Sequence, residues 1–311
     1  MLGDAPEQGA KRNRGRGASR SPADNLGRRL DALAATVDLG ARVADDPLRF
    51  PKRYRDPGDV EVAGAFAACL AFGRVSLFAP VIAACLDEAD GHGGPAAYAA
   101  ILADASTRRA FTGRYYRWLD DVDLRGLFAT LGRARARHGA LAACFVAGSA
   151  AQTLEGGINL LRKELPDDAS RALRSLFCRP SDGSACKRWC MFLRWMVRRG
   201  APDFGLWTHL DPAALVIPLD THVFRVAGFL GLVEGRTPNW RVAVALTEAL
   251  GRFDSADPVR YDFALAHLGI SGTCRGHRDA EVCPACPLDA ICKAPAAATS
   301  ADASPRSPRR R

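Results

Sequence analysis

Four cysteines near the end of the chain constrain it more than any other feature. Cys274, Cys283, Cys286 and Cys292 follow the spacing C-x8-C-x2-C-x5-C within nineteen residues, with Pro284 and Pro287 stiffening the run. Thiolates repel one another and are costly to bury, so gathering four calls for a metal ion or a metal cluster. Zinc ribbons usually pair two close C-x2-C knuckles. Only one close pair is present here, and zinc stands as the alternative to a metal cluster. His277 lies inside the loop as a further candidate ligand.

The other six cysteines have no recognised ligand spacing. Cys69, Cys85 and Cys144 fall on apolar helix faces, and Cys178, Cys186 and Cys190 read as small buried residues. The N-terminus has acids, glycines and arginines in place of an apolar leader. A cytoplasmic setting is expected, where clustered cysteines bind metal in place of forming disulfides. The longest apolar stretch, Val60 to Leu86, is interrupted by Glu61, Arg74 and Pro80. It reads as two buried helices, with no membrane span.

Charge is unevenly distributed. Residues 1–24 hold five Lys/Arg against three acids and residues 293–311 five against one, leaving +3 of the net +9 for residues 25–292. Both ends read as disordered basic tails. Between them, alanine, leucine and arginine dominate and strand-favouring residues are thin, which predicts an all-α fold. A helix is expected from about Asn25, with Leu26, Leu30, Leu33 and Val37 on one face. A Pro-rich turn carrying Asp46, Phe50, Arg53 and Tyr54 follows, and Asp59 is expected to cap a long apolar helix towards Phe72. Thr107–Trp118 mixes arginines with Phe111, Tyr115, Tyr116 and Trp118. Such a mixture serves either base stacking or helix packing.

The cysteine loop resembles the iron–sulfur loop that ends endonuclease III and its relatives in the HhH-GPD superfamily, where the spacing is C-x6-C-x2-C-x5-C. The resemblance implies a [4Fe-4S] cluster held by Cys274, Cys283, Cys286 and Cys292, mainly structural, with Arg275 and Arg278 in the position of a DNA-facing loop. Asp279 and Glu281 dilute the positive character of that loop.

Two upstream segments are similar to the same superfamily. Pro218-Leu219-Asp220-Thr221-His222-Val223-Phe224-Arg225-Val226 resembles the V-D-T-H-x-x-R-V segment of these glycosylases and implies Asp220 as the catalytic aspartate. Asp220 also precedes an apolar-periodic run ending at Gly231, which suits a helix N-cap. The helix dipole there favours an ionised carboxylate, able to stabilise a cationic sugar. Gly183-Ser184-Ala185-Cys186-Lys187 resembles the G-x-G-x-K core of the helix-hairpin-helix, whose lysine attacks the deoxyribose C1′ carbon; Lys187 is the matching residue. By the same match Gly183, Ala185 and Arg188 would face nucleic acid. Ala185 replaces the second hairpin glycine, and the lead is Arg179-Pro180-Ser181-Asp182 in place of Leu-Pro-Gly. Read independently of the resemblance, Lys187 opens an amphipathic helix that buries Phe192, Leu193, Met196 and Val197.

With Asp257–Leu265 leading through Gly269 to the first cysteine, the pattern resembles a separate bacterial branch of the superfamily. It implies two helical lobes, residues 58–200 as a helical barrel and residues 25–57 with 201–292 as the cluster-bearing lobe. DNA would lie between them across a monomer, and the implied activity is base excision with or without a lysine Schiff-base lyase step. The alternative is a non-catalytic nucleic-acid-binding protein retaining scaffold and cluster.

Overall fold

Runs of alanine and leucine without strand alternation become helices, thirteen of them among the described residues, 22–108 and 113–297 of a computed structural model. In chain order they are α1 (Pro22–Ala35), α2 (Leu39–Ala44), α3 (Pro57–Leu70), α4 (Val75–Asp90), α5 (Pro95–Leu102), α6 (Ala105–Arg108), α7 (Asp121–His138), α8 (Ala150–Lys163), α9 (Arg171–Arg174), α10 (Lys187–Val197), α11 (Thr221–Phe229), α12 (Trp240–Gly251) and α13 (Asp262–Ile270). The all-α expectation holds. Among the described residues the departures are an antiparallel hairpin of two-residue strands, β1 (Tyr115–Tyr116) with β2 (Leu119–Asp120), in a stretch that shows no strand periodicity, and an isolated parallel bridge between Arg278 and Ala296. Of the stretches expected as tails, 1–24 and 293–311, residues 1–21 and 298–311 lie outside the described residues, as does Phe111.

Helix α1 begins at Pro22, three residues before the expected start, and buries Leu30 and Leu33. Lys293 to Ala297, expected as the start of the C-terminal tail, run along the cysteine loop. The Lys293 amide donates to Phe229 O at 2.8 Å, and the Arg278 amide to Pro295 O at 2.6 Å.

The apolar stretch from Val60 divides into α3 and α4 as expected, but the cap differs. Asp56, not Asp59, closes the start of α3, its Oδ1 accepting from the Gly58 and Asp59 amides at 2.9 and 3.1 Å. Pro57 at the first helical position explains the shift, since its fixed φ suits that place and needs no donor. Asp59 instead accepts the Ala96 amide at 2.8 Å, in the first turn of α5, where Gly94 offers no side-chain cap.

Helix α3 is almost wholly buried and packs against α5, α7 and α10. Glu61 is buried at its centre. Its carboxylate accepts the Leu141 and Ala142 amides at 3.0 and 3.2 Å, the Trp207 indole N–H at 2.8 Å and Arg135 at 3.1 Å. A buried carboxylate with four donors satisfies its lone pairs fully, so the acid that interrupts the apolar pattern joins four parts of the chain.

A second group forms where α11 and α1 both pack on α13. The Pro-rich turns over residues 47–53, expected with that cluster-bearing group, pack against α3. Asp46, just before them, still reaches across to His267 of α13 at 3.2 Å. Between the two groups opens the cleft described next.

Candidate active site

Lys187 is the first residue of α10, and Cys186 before it adopts the left-handed conformation at φ 49. Asp220 is the N-cap of α11, its Oδ1 accepting the His222 and Val223 amides at 2.8 Å each. Its free oxygen, Oδ2, faces the lysine: Lys187 Nζ and Asp220 Oδ2 are 3.8 Å apart. The lysine side chain is 32% exposed and the aspartate 15% exposed, so the pair sits at a cleft wall open to solvent on the lysine side. Both line a cavity of about 640 Å³, with Phe72, Arg74, Arg194 and Asp262 among its walls. The capping role expected of Asp220 is therefore present, and the fold brings Lys187 and Asp220 together.

Sequence reasoning missed the residues behind this pair. Arg194 comes from the inner face of α10 and is buried. It donates to Asp262 at the start of α13 and makes a 3.2 Å ion pair with Asp203. Arg198 continues the network, 3.1 Å from Asp203 and 2.8 Å from Asp257. Burial pushes the Asp262 carboxyl up to about 6. The Arg194 charge pulls it back, and the charge of nearby Asp220 adds to the rise. Burial opposes the charge on Arg194, yet Asp203 and Asp262 hold it above the ordinary arginine range.

One oxygen of Asp262, Oδ1, is buried without a hydrogen-bond partner, as is His222 Nδ1. Gly269 of α13 lies against His222, where a Cβ would come within 2.7 Å of the imidazole. Glycine is needed there for α11 and α13 to approach. A signal for Arg194 was present in the sequence, namely a single charge inside the otherwise apolar run Trp189–Val197.

The segment before Lys187, expected as a hairpin, places Gly183 at φ 74, in the left-handed region. Its donors, however, already face acids. The Ser181 amide and hydroxyl donate to Glu155 at 3.0 and 2.6 Å, and Arg179 pairs with Asp182 at 2.9 Å. Arg188 turns inward, donating to Ser175 O at 2.9 Å and lying over the Phe72 ring. Ala185 packs partly against the core. At the cleft margin Trp118 is 55% exposed and stacks on Phe72, with ring centroids 5.1 Å apart. In the same segment, Tyr116 donates to Phe72 O and Arg114 pairs with Glu88.

All four loop cysteines line one small cavity of about 30 Å³, closed by Val226, Leu230 and Leu288. The Cys283 sulfur accepts the Asp279 amide at 3.2 Å, and Arg225 donates to Cys274 O at 3.1 Å. Burial first, then the proximity of Cys292, Cys274 and Cys283, raises the Cys286 thiol above its usual range. Among the described residues no three His, Cys, Asp or Glu side chains are arranged around a single metal-ion position. The two loop arginines are paired: Arg275 with Asp279 at 2.7 Å and Arg278 with Asp289 at 2.8 Å. Also among the described residues, no helix is long and apolar enough to cross a membrane.

Residues 46–271 match the family described as Protein of unknown function (DUF2400). The chain belongs to that family. The family segment takes in Asp46, Arg74, Lys187, Arg194, Asp220, Asp262 and His267, and ends three residues before Cys274. No curated protein and no solved structure matches the chain.

Proposed function

We propose that the protein is a DNA base-excision glycosylase of the endonuclease III type, with Lys187 as nucleophile and Asp220 as its partner. The observation that carries this reading is the 3.8 Å approach of Lys187 Nζ to Asp220 Oδ2 at the wall of a cavity of about 640 Å³. Nucleotide flipping needs a recess of that kind, and an amine poised beside a carboxylate suits attack on C1′.

The chemistry follows from the groups present. The Lys187 amine, once deprotonated, forms a bond to C1′ as the glycosidic bond breaks and its electron pair leaves with the base. Asp220, fixed by two backbone donors, stabilises the positive charge that develops on the sugar. The walls carry Asp45, Asp46, Asp220 and Asp262 against Arg74, Lys187 and Arg194, a balance that suits a cationic sugar better than a phosphate. Trp118, exposed and stacked on Phe72, offers a face for an unstacked neighbouring base.

The assignment of a [4Fe-4S] cluster to Cys274, Cys283, Cys286 and Cys292 is supported by their gathering at one small cavity, with a backbone amide donated to the Cys283 sulfur. The cluster would brace the loop against α11 and take no part in the excision. Zinc in the same loop is the alternative.

A second reading, a non-catalytic nucleic-acid binder, is favoured by Glu155, which occupies the hairpin donors that a phosphate would use. Borohydride trapping on an abasic-site oligonucleotide separates the two. Covalent capture of the wild type and none of Lys187→Ala is expected. Equal capture by the variant would reject the nucleophile, and binding of the oligonucleotide with no capture by either protein would leave the second reading.

A further inference from the structure

One face of the hairpin carries chemistry that base excision does not use. Cys178 ends the turn Ser175–Phe177, is half-buried, and gathers donors around its sulfur. The Ser184 hydroxyl donates to it at 3.3 Å and the Arg188 guanidinium at 3.8 Å. Cys186 lies against it from the other side, its thiol 3.5 Å from Cys178 O and 3.4 Å from Ser184 O. Cys186 itself is fully buried and held at φ 49, where non-glycine side chains are uncommon. The two cysteines thus lie against each other, Cys178 half-buried with two donors at its sulfur and Cys186 enclosed beside it.

We propose that Cys178 and Cys186 form a hydroperoxide-reactive thiol pair, Cys178 as the attacking sulfur and Cys186 as the one that resolves it. Thiolates, not thiols, attack peroxides, and a thiolate needs donors and positive charge around it. Here the Ser184 hydroxyl and the Arg188 guanidinium supply them, while the Cys186 thiol faces the Cys178 and Ser184 carbonyl oxygens. The neighbouring Cys186 thiol first, and then Ser184 and Arg188, hold the Cys178 thiol below its ordinary range against the opposition of burial, while Cys186, the partner that keeps its proton, is raised. Arg188 is held in place by Ser175 O at 2.9 Å and by the Phe72 ring, so its position does not depend on the sulfur.

The reaction balances with a hydroperoxide as oxidant. The Cys178 sulfur attacks the terminal peroxide oxygen, the O–O bond breaks, and the alkoxide or hydroxide leaves and takes a proton from solvent, giving Cys178 sulfenic acid. The Cys186 sulfur then attacks the Cys178 sulfur, the S–O bond breaks, and water leaves with the Cys186 proton. The product is a Cys178–Cys186 disulfide, two hydrogens lighter, one residue before Lys187.

Trypsin does not cleave Arg179-Pro180, so both cysteines stay in the single peptide Ser175–Lys187. The purified full-length protein, treated with stoichiometric hydrogen peroxide, alkylated and digested, should yield this peptide two hydrogens lighter and unalkylated. Cys186→Ser should stop at a Cys178 sulfenic acid that dimedone captures. Iodoacetamide at pH 6 should label Cys178 about tenfold faster than an ordinary thiol, since the gain in thiolate fraction outweighs the lower nucleophilicity of a weaker base. Arg188→Met with Ser184→Ala should remove that advantage without touching either sulfur. A peptide that stays fully alkylated after peroxide would overturn the proposal. So would Cys178 labelling at the rate of an ordinary thiol. None of these readouts depends on an excision activity.

Discussion

Replacing Asp262 with asparagine gives a stability profile whose shape can be worked out from the site. The Asp262 carboxyl is buried and lifted to about 6, against about 3.9 for an aspartate in the unfolded chain. The folded state therefore holds this proton more tightly than the unfolded one. The stabilisation it contributes is complete below pH 4 and is lost as pH rises through 6. A difference of about two pKa units corresponds to about 3 kcal/mol. The asparagine of Asp262→Asn cannot titrate, so subtracting the variant's profile from that of the wild type removes every other group from the comparison. Urea unfolding of both proteins between pH 4 and 7 should show the wild-type advantage shrinking by about 3 kcal/mol. With an m value of about 3 kcal/mol/M, that moves the gap between the midpoints by about 1 M. Parallel profiles across this range would show that Arg194 neutralises Asp262 completely, and the coupling to Asp220 and Lys187 would have to be abandoned.

Glu61→Ala strands the amides of Leu141 and Ala142 and the Trp207 indole N–H inside the protein. At about 1–3 kcal/mol for each unsatisfied donor, the loss should be about 4 kcal/mol by chemical denaturation. A loss below about 1 kcal/mol would mean that water replaces the carboxylate. Cys286→Ser should lose most of its bound iron and fold poorly, measured by iron content and circular dichroism; a stable, fully iron-loaded variant would reject the four-cysteine ligand set. Asp220→Asn should keep the α11 cap, because its amide oxygen can accept the same two backbone donors, yet lower base excision on the order of 10²-fold. Unchanged excision would remove Asp220 from the chemistry.

The parts of the site legible in the sequence are those with a local signature. Asp220 precedes an apolar run, and a cap is a contact between near neighbours. Lys187 opens an amphipathic helix whose buried face follows from its spacing. What stayed hidden depends on contacts between residues distant in the chain. Asp262 reads as one more acid at the start of a helix, and only the fold brings Arg194, 68 positions earlier, against it. Asp59 has the look of a local cap but serves α5, 37 positions on. Glu61 reads as an interruption of an apolar stretch because its four donors come from three distant segments. The β1–β2 hairpin is too short to show an alternation at all.

Helix α1 and the end of the chain are tied to each other. Arg29 donates to Pro287 O at 2.7 Å across 258 positions, and Tyr261 to Asp31 at 3.0 Å across 230. Helix α1 is thus synthesised well before the segments it docks on, α13 and the cysteine loop. At about 5–20 residues per second, α1 waits roughly 10–50 s for α13 and the cysteine loop to emerge. During that time its apolar face, Leu30 and Leu33, is without its native cover. The α3–α5–α7–α10 group, whose members are all translated by residue 197, can close before the second group has a partner to fold on. Vectorial synthesis therefore imposes an order on assembly: the wall bearing Lys187 first, and the wall bearing Asp220 and Asp262 only after α13 has emerged.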